Sequence, residues 1–242
     1  MRVNTPSALT VVIPAHDEAR LIGATLQALG QALAALGRTA QVLVVDDAST
    51  DATAAIARQH GADVLHVQFR HIAATRNAGA AIADGNWLLF VDADTHVDAR
   101  VLGAALAALQ AGACGGGAAV LLQEPVRAYE RAGARLFAWI FRAARIAPGC
   151  FIFCTRAAFE AVGGFDPAYF AAEDIAISRA LARHGLFVIL REAVYTSPRK
   201  LRTHGLGDHF RLLLKLAWHR GRLLDSRQHL DLWYGRRRDG EP

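Results

Sequence analysis

"LLFVDADTHVD", residues 88–98, joins an apolar run to two aspartates. The first four residues are apolar enough to form a buried strand, and Asp92 and Asp94 follow with only Ala93 between them. Two carboxylates this close repel each other, and their burial is costly unless a cation compensates them. Mg²⁺ and Mn²⁺ are typically held by one or two carboxylates together with substrate phosphates. The stretch therefore predicts a divalent-cation site at the end of a buried strand, with a solvated turn as the alternative.

Strand-like and helix-like patterns alternate on both sides of this stretch. Apolar runs of strand length occur in "ALTVVIPAHDE", "AQVLVVDDAS", "ADVLHVQF" and "NWLLFVDAD", and each is followed by a segment with a helical pattern. This order is typical of an α/β fold with a mostly parallel sheet and helices on both faces. In such sheets ligands bind beyond the carboxyl ends of the strands. Polar residues cluster after three of these strands, at 14–18, 46–51 and 92–94, and we expect the clusters to face one cleft.

The second half of the chain predicts further strands and helices. "GGGAAVLL" and "LFVILREAVYT" read as strands, and "GCFIFCTRAAFEAVGGF" as a strand that leads into a short helix and a glycine turn. "PVRAYERAGARLFAWIFRAARI" and residues 206–224 have a helical period. "AAEDIAISRALARHG" predicts a helix with Glu173 and Asp174 in its first turn. The helix dipole favours acidic residues there, so a structural role competes with a catalytic one.

Length and charge bound the class of protein. A chain of 242 residues with 53% apolar content suits one large α/β domain, or a domain with an appendage. From Arg199 onward there are eleven Lys and Arg against five Asp and Glu, whereas the whole chain has a net charge of only +5. We therefore expect a negatively charged partner to meet the C-terminal tail. Nucleic acid is not the expected partner, because no aromatic platforms are interleaved with these basic residues.

Targeting and cysteine patterns indicate an unprocessed cytoplasmic protein. The N-terminus lacks the charged start and apolar run of a signal peptide, and three cysteines form no disulfide framework. The uncharged segment 101–123 resembles a membrane span in composition, but Gly112 and Gly115 to Gly117 would break a helix within it. A helix, a glycine turn and a buried strand fit this segment better.

Four stretches of the sequence together resemble a known family. "VVIPAHDEARLIGATLQAL", "VLVVDDASTD", "ATRNAGAAIADGNWLLFVDADT" and "FEAVGGFDPAYFAAEDIAISRAL" are similar, in sequence and in order, to the family 2 glycosyltransferases of the GT-A fold. One departure is Asp17 in "PAHDE", where these enzymes more often have Asn. The resemblance implies a GT-A domain over residues 1–198, with a nucleotide-binding half at 1–112 and an acceptor and catalytic half at 113–198. Residues 199–242 would form a basic, amphipathic extension.

The resemblance implies catalytic and metal-binding roles for the acidic residues. Asp174 is the implied general base and Glu173 its neighbour, while Asp94 is the implied ligand of Mg²⁺ or Mn²⁺ and Asp92 approaches the ribose and the metal. The residue types suit this chemistry, because an acceptor hydroxyl needs a carboxylate to take its proton. A departing nucleoside diphosphate also develops negative charge that a divalent ion stabilises. Direct displacement with one base gives inversion at the anomeric carbon, as the family implies.

The resemblance also implies a set of donor contacts. Asp46 should meet the nucleobase of a UDP- or GDP-linked sugar, whereas Asp47 is expected to turn toward the loop that it caps. Arg76 should lie near the nucleotide, with an ordinary helix-surface position as the alternative. Gly163 and Gly164 should let the backbone approach the donor sugar or the acceptor. The full set is Pro14, Ala15, His16, Glu18, Asp46, Asp47, Arg76, Asp92, Ala93, Gly163, Gly164 and Arg199.

The basic tail leaves several alternatives open. "TSPRKLRTHG" also resembles a subset of the family, and Arg199 and Lys200 could close over the diphosphate or lie in a solvated loop. Projected as a helix, residues 210–224 show a broad apolar arc, which must pack on the core, on a second subunit as in a homodimer, or on a membrane. We hypothesise a weak peripheral contact with the inner face of the membrane. The acceptor would then be lipid-linked, with a saccharide as the alternative.

Two other functions compete with a glycosyltransferase. A sugar nucleotidyltransferase usually has a glycine-rich, basic phosphate loop after its first strand, and "PAHDEARL" lacks one. A non-catalytic nucleotide-binding module would have no need of Glu173 and Asp174. Substitution of Asp174 therefore distinguishes a module from an enzyme.

Overall fold

The computed structural model describes residues 8–122, 146–169 and 173–196. Arg199 and the predicted helices that begin at residues 125 and 206 lie outside these ranges. Within them the chain forms six helices and an eight-stranded sheet. The strands are β1 (Leu9–Ala15), β2 (Gln41–Asp47), β3 (Asp63–Val67), β4 (Trp87–Val91), β5 (Thr95–His96), β6 (Gly115–Leu122), β7 (Phe151–Thr155) and β8 (Phe187–Thr196). The helices are α1 (Ile22–Ala35), α2 (Thr53–Gln59), α3 (Ile72–Ala81), α4 (Ala99–Gln110), α5 (Arg156–Ala161) and α6 (Glu173–His184).

The sheet is mixed but mostly parallel, which confirms the predicted fold class. Its strand order is β3-β2-β1-β4-β7-β6-β8-β5. The first four strands of the chain are parallel neighbours, as the alternation of strands and helices predicted. β7 is inserted antiparallel between β4 and β6, and β8 runs parallel to β6. Strands from both halves of the predicted domain therefore belong to one sheet.

The apolar core lies on both faces of the sheet. Alternate residues of a strand point to opposite faces, so Val11 and Val12 belong to different core clusters. On one face α1, α2 and α4 pack with Leu29 and Leu102 in the interior. On the other face α3, α5 and α6 pack around Phe90. Full burial of each large apolar side chain stabilises the fold by roughly 1.5–3 kcal/mol.

The uncharged segment 101–123 folds as the glycines predicted. α4 ends at Gln110, Gly112 turns the chain with φ +93°, and the glycines that follow enter β6. At Gly116 a Cβ would lie 2.1 Å from the Val188 carbonyl oxygen, so only glycine fits between β6 and its neighbour. None of the helices in the described ranges is long and apolar enough to cross a membrane.

The short strand β5 was not predicted from the sequence. Thr95 pairs with Thr196 and His96 with Tyr195, which ties the loop after β4 to the end of β8. Asp98 then caps α4, because its Oδ1 accepts hydrogen bonds from the Arg100 and Val101 amides at 3.0 and 2.9 Å. A strand of two residues has too little periodic pattern to be recognised locally. Its pairing nevertheless fixes where the aspartates of this loop are held.

Candidate active site

The polar clusters that follow β1, β2 and β4 lie at one edge of the sheet. Ala15 at the end of β1 pairs with Asp46 of β2, and Asp46 pairs in turn with His66 of β3. β1 also pairs with β4, with Val12 opposite Phe90, so the loop that carries Asp92 leaves the sheet at the same edge. These strand ends therefore lie side by side, as the parallel arrangement led us to expect.

Arg76 of α3 is a buried bridge and not a helix-surface residue. It is only 2% exposed. Its Nη1 donates to Glu173 Oε1 at 2.7 Å, and its Nη2 donates to Asp92 Oδ1 at 2.8 Å and to the Gly149 carbonyl at 2.9 Å. Arg76 thus connects the loop after β4 with the first turn of α6. We refer to Arg76, Asp92, Glu173 and Asp174 as the Arg76 cluster.

The charges around Arg76 favour its ionised form. Burial acts to lower the pKa of Arg76, but the carboxylates of Asp92 and Glu173 outweigh burial, so the pKa lies above its ordinary value. The guanidinium also lies over the Phe165 ring, with 5.1 Å between Cζ and the ring centroid. One permanent cation therefore faces three carboxyl groups, which leaves the Arg76 cluster with an excess of acidic groups.

Asp174 belongs to this cluster and has a raised pKa. Burial, followed by the neighbouring Glu173 charge, raises the pKa of Asp174 to about 7, against the opposing effect of Arg76. Its Oδ2 accepts a hydrogen bond from the Gly149 amide at 2.9 Å, and its Oδ1 accepts one from its own helix at Ile175, at 2.8 Å. A carboxyl group with a pKa near neutral is suited to accept and release a proton at physiological pH.

Gly149 is a part of the site that no sequence motif indicated. Its amide and carbonyl contact Asp174 and Arg76 respectively. A Cβ at this position would lie 3.2 Å from the Asp174 Cβ and 3.3 Å from Arg76 Nη2. Gly149 therefore fits between the Asp174 carboxyl group and the Arg76 guanidinium because it has no side chain. Its role depends on a fold that brings α3 and α6 together, which local sequence does not show.

Asp94 is buried in the loop after β4. It is 6% exposed, and its Oδ1 accepts a 3.3 Å hydrogen bond from Thr196. The preceding residue, Ala93, is fixed through its carbonyl, which accepts a 2.8 Å bond from Thr25 of α1. Asp94 forms no ion pair with a Lys, Arg or His of the described ranges. A buried carboxylate without a cation is costly, so this environment fits a divalent ion.

The described residues do not form a complete metal site by themselves. No group of three or more His, Cys, Asp and Glu side chains in these ranges is arranged to hold an ion. Because Mg²⁺ and Mn²⁺ are commonly held by one or two carboxylates together with substrate phosphates, Asp94 with a bound diphosphate suits such an ion. Asp92 is less free to contribute, since its Oδ1 already accepts from Arg76.

Asp46 and Asp47 are adjacent in sequence but have different surroundings. Asp47 turns toward the loop before α3, as expected. Its Oδ1 accepts from the Arg70 amide at 2.8 Å, and its Oδ2 accepts from the His71 amide at 3.0 Å and from the Thr75 hydroxyl at 2.8 Å. Asp46 instead contacts the ring of His66 on β3, at 2.9 Å. Asp47 therefore stabilises the entry into α3, whereas Asp46 keeps one oxygen for another partner.

The expected nucleoside-pocket residues surround the end of β1. Pro14 and Ala15 are buried within the strand. His16 follows and places Nδ1 2.8 Å from the Asp47 carbonyl, while its Nε2 meets the guanidinium of Arg70. The same Nε2 lies 3.4 Å from Asp17 Oδ2. These contacts hold the His16 ring in one orientation at this edge of the sheet.

Asp17 and Glu18 form the turn that leads from β1 to α1. Asp17 has φ +52°, a left-handed conformation that Asn and Asp tolerate better than most residues. Its Oδ1 accepts from the Thr50 amide at 2.6 Å, which links this turn to the loop after β2. The Asp in place of the more usual Asn thus keeps a structural role. The Glu18 amide donates to the Thr53 hydroxyl at 2.7 Å.

Gly163 and Gly164 form a turn that is tied to α3. Their φ angles are +81° and +73°. Beside them Asn77 clamps Phe165, since its amide nitrogen donates to the Phe165 carbonyl at 2.7 Å and its Oδ1 accepts from the Phe165 amide at 2.9 Å. A Cβ on Gly164 would lie 2.9 Å from Asn77 Oδ1, while one on Gly163 would meet nothing within 4 Å. The sequence motifs did not predict a positioning role for Asn77, although it follows Arg76 in "ATRNAG".

The fold is shared with solved glycosyltransferase structures. The mannosyltransferase PcManGT from Pyrobaculum calidifontis, in complex with GDP-Man and Mn²⁺, superposes with a TM-score of 0.65 at 21% identity, over 86% of this chain and 64% of that one. S. aureus TarS in complex with UDP-GlcNAc gives a TM-score of 0.62 at 18% identity, over 79% of this chain and 58% of that one. These similarities place the chain in the class of GT-A folds.

Sequence comparison identifies the family within that class. The model of Glycosyl transferase family 2 matches residues 10–163, which is well over half of the chain. The chain therefore belongs to glycosyl transferase family 2, as its sequence resemblance indicated. An uncharacterized glycosyltransferase of Mycobacterium bovis is 35% identical over 106 residues, 44% of this chain and 45% of that protein. An uncharacterized glycosyltransferase of Escherichia coli is 30% identical over 101 residues, 39% of this chain and 28% of that protein. The chain thus aligns with less than half the length of these relatives.

Proposed function

We propose that the protein transfers a sugar from a nucleoside diphosphate donor to an acceptor hydroxyl, with inversion at the anomeric carbon. The observation that carries this proposal is the Arg76 bridge. Through it, Asp92 in the loop after β4 and Glu173 at the start of α6 share one buried cation. Glu173 adjoins Asp174, so a donor-binding loop and a carboxyl group with a pKa near neutral belong to one cluster. That juxtaposition is what a single-displacement transferase requires.

Asp174 is the general base in this proposal. An acceptor hydroxyl is a weak nucleophile until a carboxylate accepts its proton, and this step typically contributes 10²–10⁴-fold to the rate. The Gly149 and Ile175 amides fix the Asp174 carboxylate from two sides. Glu173 accepts a hydrogen bond from Arg76, and its charge raises the pKa of the neighbouring Asp174. One base and one displacement give a product of inverted configuration.

The donor would bind at the edge where β1, β2 and β4 end. Asp94 would hold Mg²⁺ or Mn²⁺ there together with the diphosphate, and such an ion would supply positive charge to the leaving group. Asp46 accepts a hydrogen bond from the nucleobase, and Asp92 lies toward the ribose. The donor is a UDP- or GDP-linked sugar, the two kinds named for TarS and PcManGT. Arg199 would close over the diphosphate from the segment that follows β8.

The basic tail supports a proposal for the acceptor and for the location of the protein in the cell. A lipid-linked acceptor at the inner face of the membrane suits a cytoplasmic enzyme whose positive charge is concentrated after Arg199. A free saccharide is the alternative acceptor. A homodimer through residues 206–224 is the alternative use of the tail.

A transfer assay with an Asp174 variant tests the proposed reaction. Purified full-length protein with Mn²⁺ is offered a panel of UDP- and GDP-sugars, and release of the nucleoside diphosphate is measured with water or added acceptors. Asp174→Asn should lower the rate roughly 10²–10⁴-fold while donor binding, measured by calorimetry, changes little. Asp63→Asn on the exposed side of β3 is the matched control. A near wild-type rate for Asp174→Asn would exclude the base assignment and favour a non-catalytic module.

A second variant tests the metal ligand. Asp94→Asn keeps the size of the side chain and the acceptor for Thr196, but it removes the charge. We expect the variant to bind UDP or GDP at least about tenfold more weakly in Mn²⁺, since an ion–carboxylate contact is lost. EDTA should weaken binding by the wild type to the level of the variant and have little effect on the variant. Equal Mn²⁺-dependent affinity in both proteins would contradict the role of Asp94.

A further inference from the structure

The two oxygens of the Asp46 carboxylate differ in a way that bears on donor choice. The residue is 4% exposed. Oδ2 lies 2.9 Å from His66 Nδ1, whereas Oδ1 is buried and has no hydrogen-bond partner among the described residues. A buried acceptor that stays unsatisfied is destabilising, so a ligand that supplies one donor there gains affinity.

The donor role of His66 Nδ1 follows from the second contact of the ring. Its Nε2 lies 2.6 Å from Nη2 of Arg58 at the end of α2. A guanidinium cannot accept a hydrogen bond, so Nε2 is the acceptor and Nδ1 carries the proton. His66 Nδ1 is therefore the donor to Asp46 Oδ2. The chain Arg58–His66–Asp46 fixes the carboxylate with one oxygen already occupied.

We propose that His66 makes Asp46 a receptor for a base with a single ring N–H, the imide of uracil or thymine. This inference rests on the proposed function, in which Asp46 meets the nucleobase, and narrows the donor to the uridine or thymidine class. Guanine presents two adjacent donors, N1–H and the 2-amino group, which match a carboxylate with both oxygens free. Cytosine presents a lone pair at N3, which the carboxylate repels. Buried polar groups left without a matching partner are the strongest basis for such discrimination.

The first test compares nucleoside diphosphates directly. Calorimetry with Mn²⁺ measures UDP, dTDP, GDP and CDP on the full-length wild-type protein. We expect UDP to bind about tenfold or more tightly than GDP and CDP, the scale of one unmatched buried hydrogen bond. UDP and dTDP share the imide and differ at the 2′-hydroxyl and at C5 of the base, so their ratio separates recognition of the imide from recognition of those two positions. Binding of GDP as tight as that of UDP overturns the inference and leaves the proposed function standing. If none of the four binds, the proposed function itself fails.

The second test isolates His66. His66→Ala frees Oδ2, so the preference for UDP over GDP should fall several-fold, while His66→Asn, whose amide can donate to the same oxygen, should keep it. His60→Ala is the matched control, because His60 is exposed and the hydrogen bond of its ring to a described residue is to the backbone carbonyl of Ile56 on α2. A UDP-to-GDP ratio that is the same in His66→Ala and wild type overturns the inference.

The third test reverses the polarity of the receptor. In Asp46→Asn the His66 N–H should hold the amide oxygen, which turns the amide N–H toward the base. The preference should then change from UDP to CDP, whose N3 accepts a hydrogen bond. In the double variant Asp46→Asn with His66→Ala the amide can rotate, so the preference for CDP should be lost. A purely structural His66 predicts no such difference between the single and double variants, and that result overturns the inference. Circular dichroism verifies folding, and the His66 series decides alone if Asp46→Asn does not fold.

Discussion

At the scale of single residues, the chemistry of the site depends on one guanidinium that faces three carboxyl groups. Arg76 is the one cation of its cluster and is closed off from water, while the carboxyl groups of Asp92, Glu173 and Asp174 face it from two separate parts of the chain. The Asp92 and Glu173 carboxylates each accept a direct hydrogen bond from the Arg76 guanidinium. The third, Asp174, is left with burial and a like-charged neighbour, which is why its pKa is raised to about 7. Arg76 therefore holds the cluster together and at the same time leaves Asp174 poised to exchange a proton.

The first residue-scale prediction concerns the stability that Arg76 provides. Arg76→Met keeps much of the side-chain volume but leaves Glu173 and Asp92 without their cation. We expect the free energy of unfolding to fall by roughly 3–5 kcal/mol, the range for removal of one partner of a buried ion pair. Urea unfolding at pH 7 measures it, and Arg100→Met on the exposed side of α4 is the control, with an effect within about 0.5 kcal/mol. A loss no larger than that of the control would mean that the bridge has no stabilising role.

The second residue-scale prediction concerns pH. The pKa of Asp174 is about 7 in the folded protein and 3.8 as its ordinary value. Because the folded state holds the proton more tightly, this group stabilises the fold most below pH 3.8 and loses that contribution as pH rises through about 7. Asp174→Asn cannot ionise, so the stability of the variant relative to wild type should increase between pH 5 and pH 8.5. The transfer rate of the wild type should rise over the same interval, because the base must be ionised.

Both halves of this pH prediction can be checked separately. Urea midpoints of wild type and Asp174→Asn at pH 5, 7 and 8.5 give the stability difference, with Asp63→Asn as the exposed control. Initial rates of donor turnover at the same pH values give the activity profile. If the stability of Asp174→Asn relative to wild type stays constant or falls as pH rises, the Asp174 pKa is not raised.

At the scale of the element, α3 is the helix that organises the site. It presents Arg76 to the acidic cluster and Asn77 to the glycine turn, and Asp47 holds its N-terminal end. The helix can reach these partners only because it packs unusually close to the sheet. At Gly79 a Cβ would lie 2.4 Å from Val12 Cγ1 and 2.8 Å from Val45 Cγ2. Close packing therefore positions the bridge as much as the hydrogen bonds do.

A pair of glycine substitutions tests this close packing. Gly79→Ala should force α3 away from β1 and β2 and destabilise the protein by about 1–3 kcal/mol, the usual effect of overpacking. It should also lower transfer activity, since Arg76 moves with the helix. Gly30→Ala is the control on α1, where a Cβ meets nothing within 4 Å, and it should stabilise by about 0.4–1 kcal/mol. Unfolding midpoints measure both. Equal stabilisation by the two substitutions would contradict the account of α3.

At the scale of the whole molecule, the surplus of basic residues and the Arg76 cluster lie in different parts of the chain. The acidic cluster lies in the described core, whereas eleven of the 27 Lys and Arg residues follow residue 198. The segment from Arg199 lies outside the described residues, so its membrane contact stays a prediction from sequence. A basic segment next to an anionic bilayer gains roughly 1 kcal/mol per Lys or Arg near the surface.

Vesicle binding by the full-length protein tests the role of the tail. We expect binding to vesicles with anionic lipid at low salt, weaker binding at high salt, and little binding to neutral vesicles. Replacement of Arg211, Lys215 and Arg222 by Glu should lower the affinity for anionic vesicles by at least about tenfold. Co-sedimentation measures the bound fraction, and replacement of Arg100, Arg179 and Arg183 by Glu is the control. Absence of binding at low salt would leave packing on the core or on a second subunit as the use of this segment.

Periodicity and residue chemistry alone predicted a large part of this protein. The first four strands and their helices, the strand from Gly115, the glycine turn at 163–164 and the helix that begins at Glu173 all follow from local patterns. These patterns are readable because burial on one face imposes a fixed period on the sequence. The two aspartates after β4 were recognisable for a similar reason, since charges that follow a buried strand need compensation. Order and spacing of such motifs also carried the family resemblance.

Only the tertiary structure decided how these parts meet. Arg76 and Glu173 are separated by 97 positions in the sequence, and no local pattern indicates that they form an ion pair. The same holds for the Asp46–His66 contact, for the position of Gly149 between Asp174 and Arg76, and for the pairing of β5 with the end of β8. The order of the strands and the positions of the helices on the sheet arise from packing between segments that are distant in sequence. The steric fit of each segment depends on all the others. A period in the sequence specifies which face of an element is buried, but the partner that buries it is chosen by the whole fold.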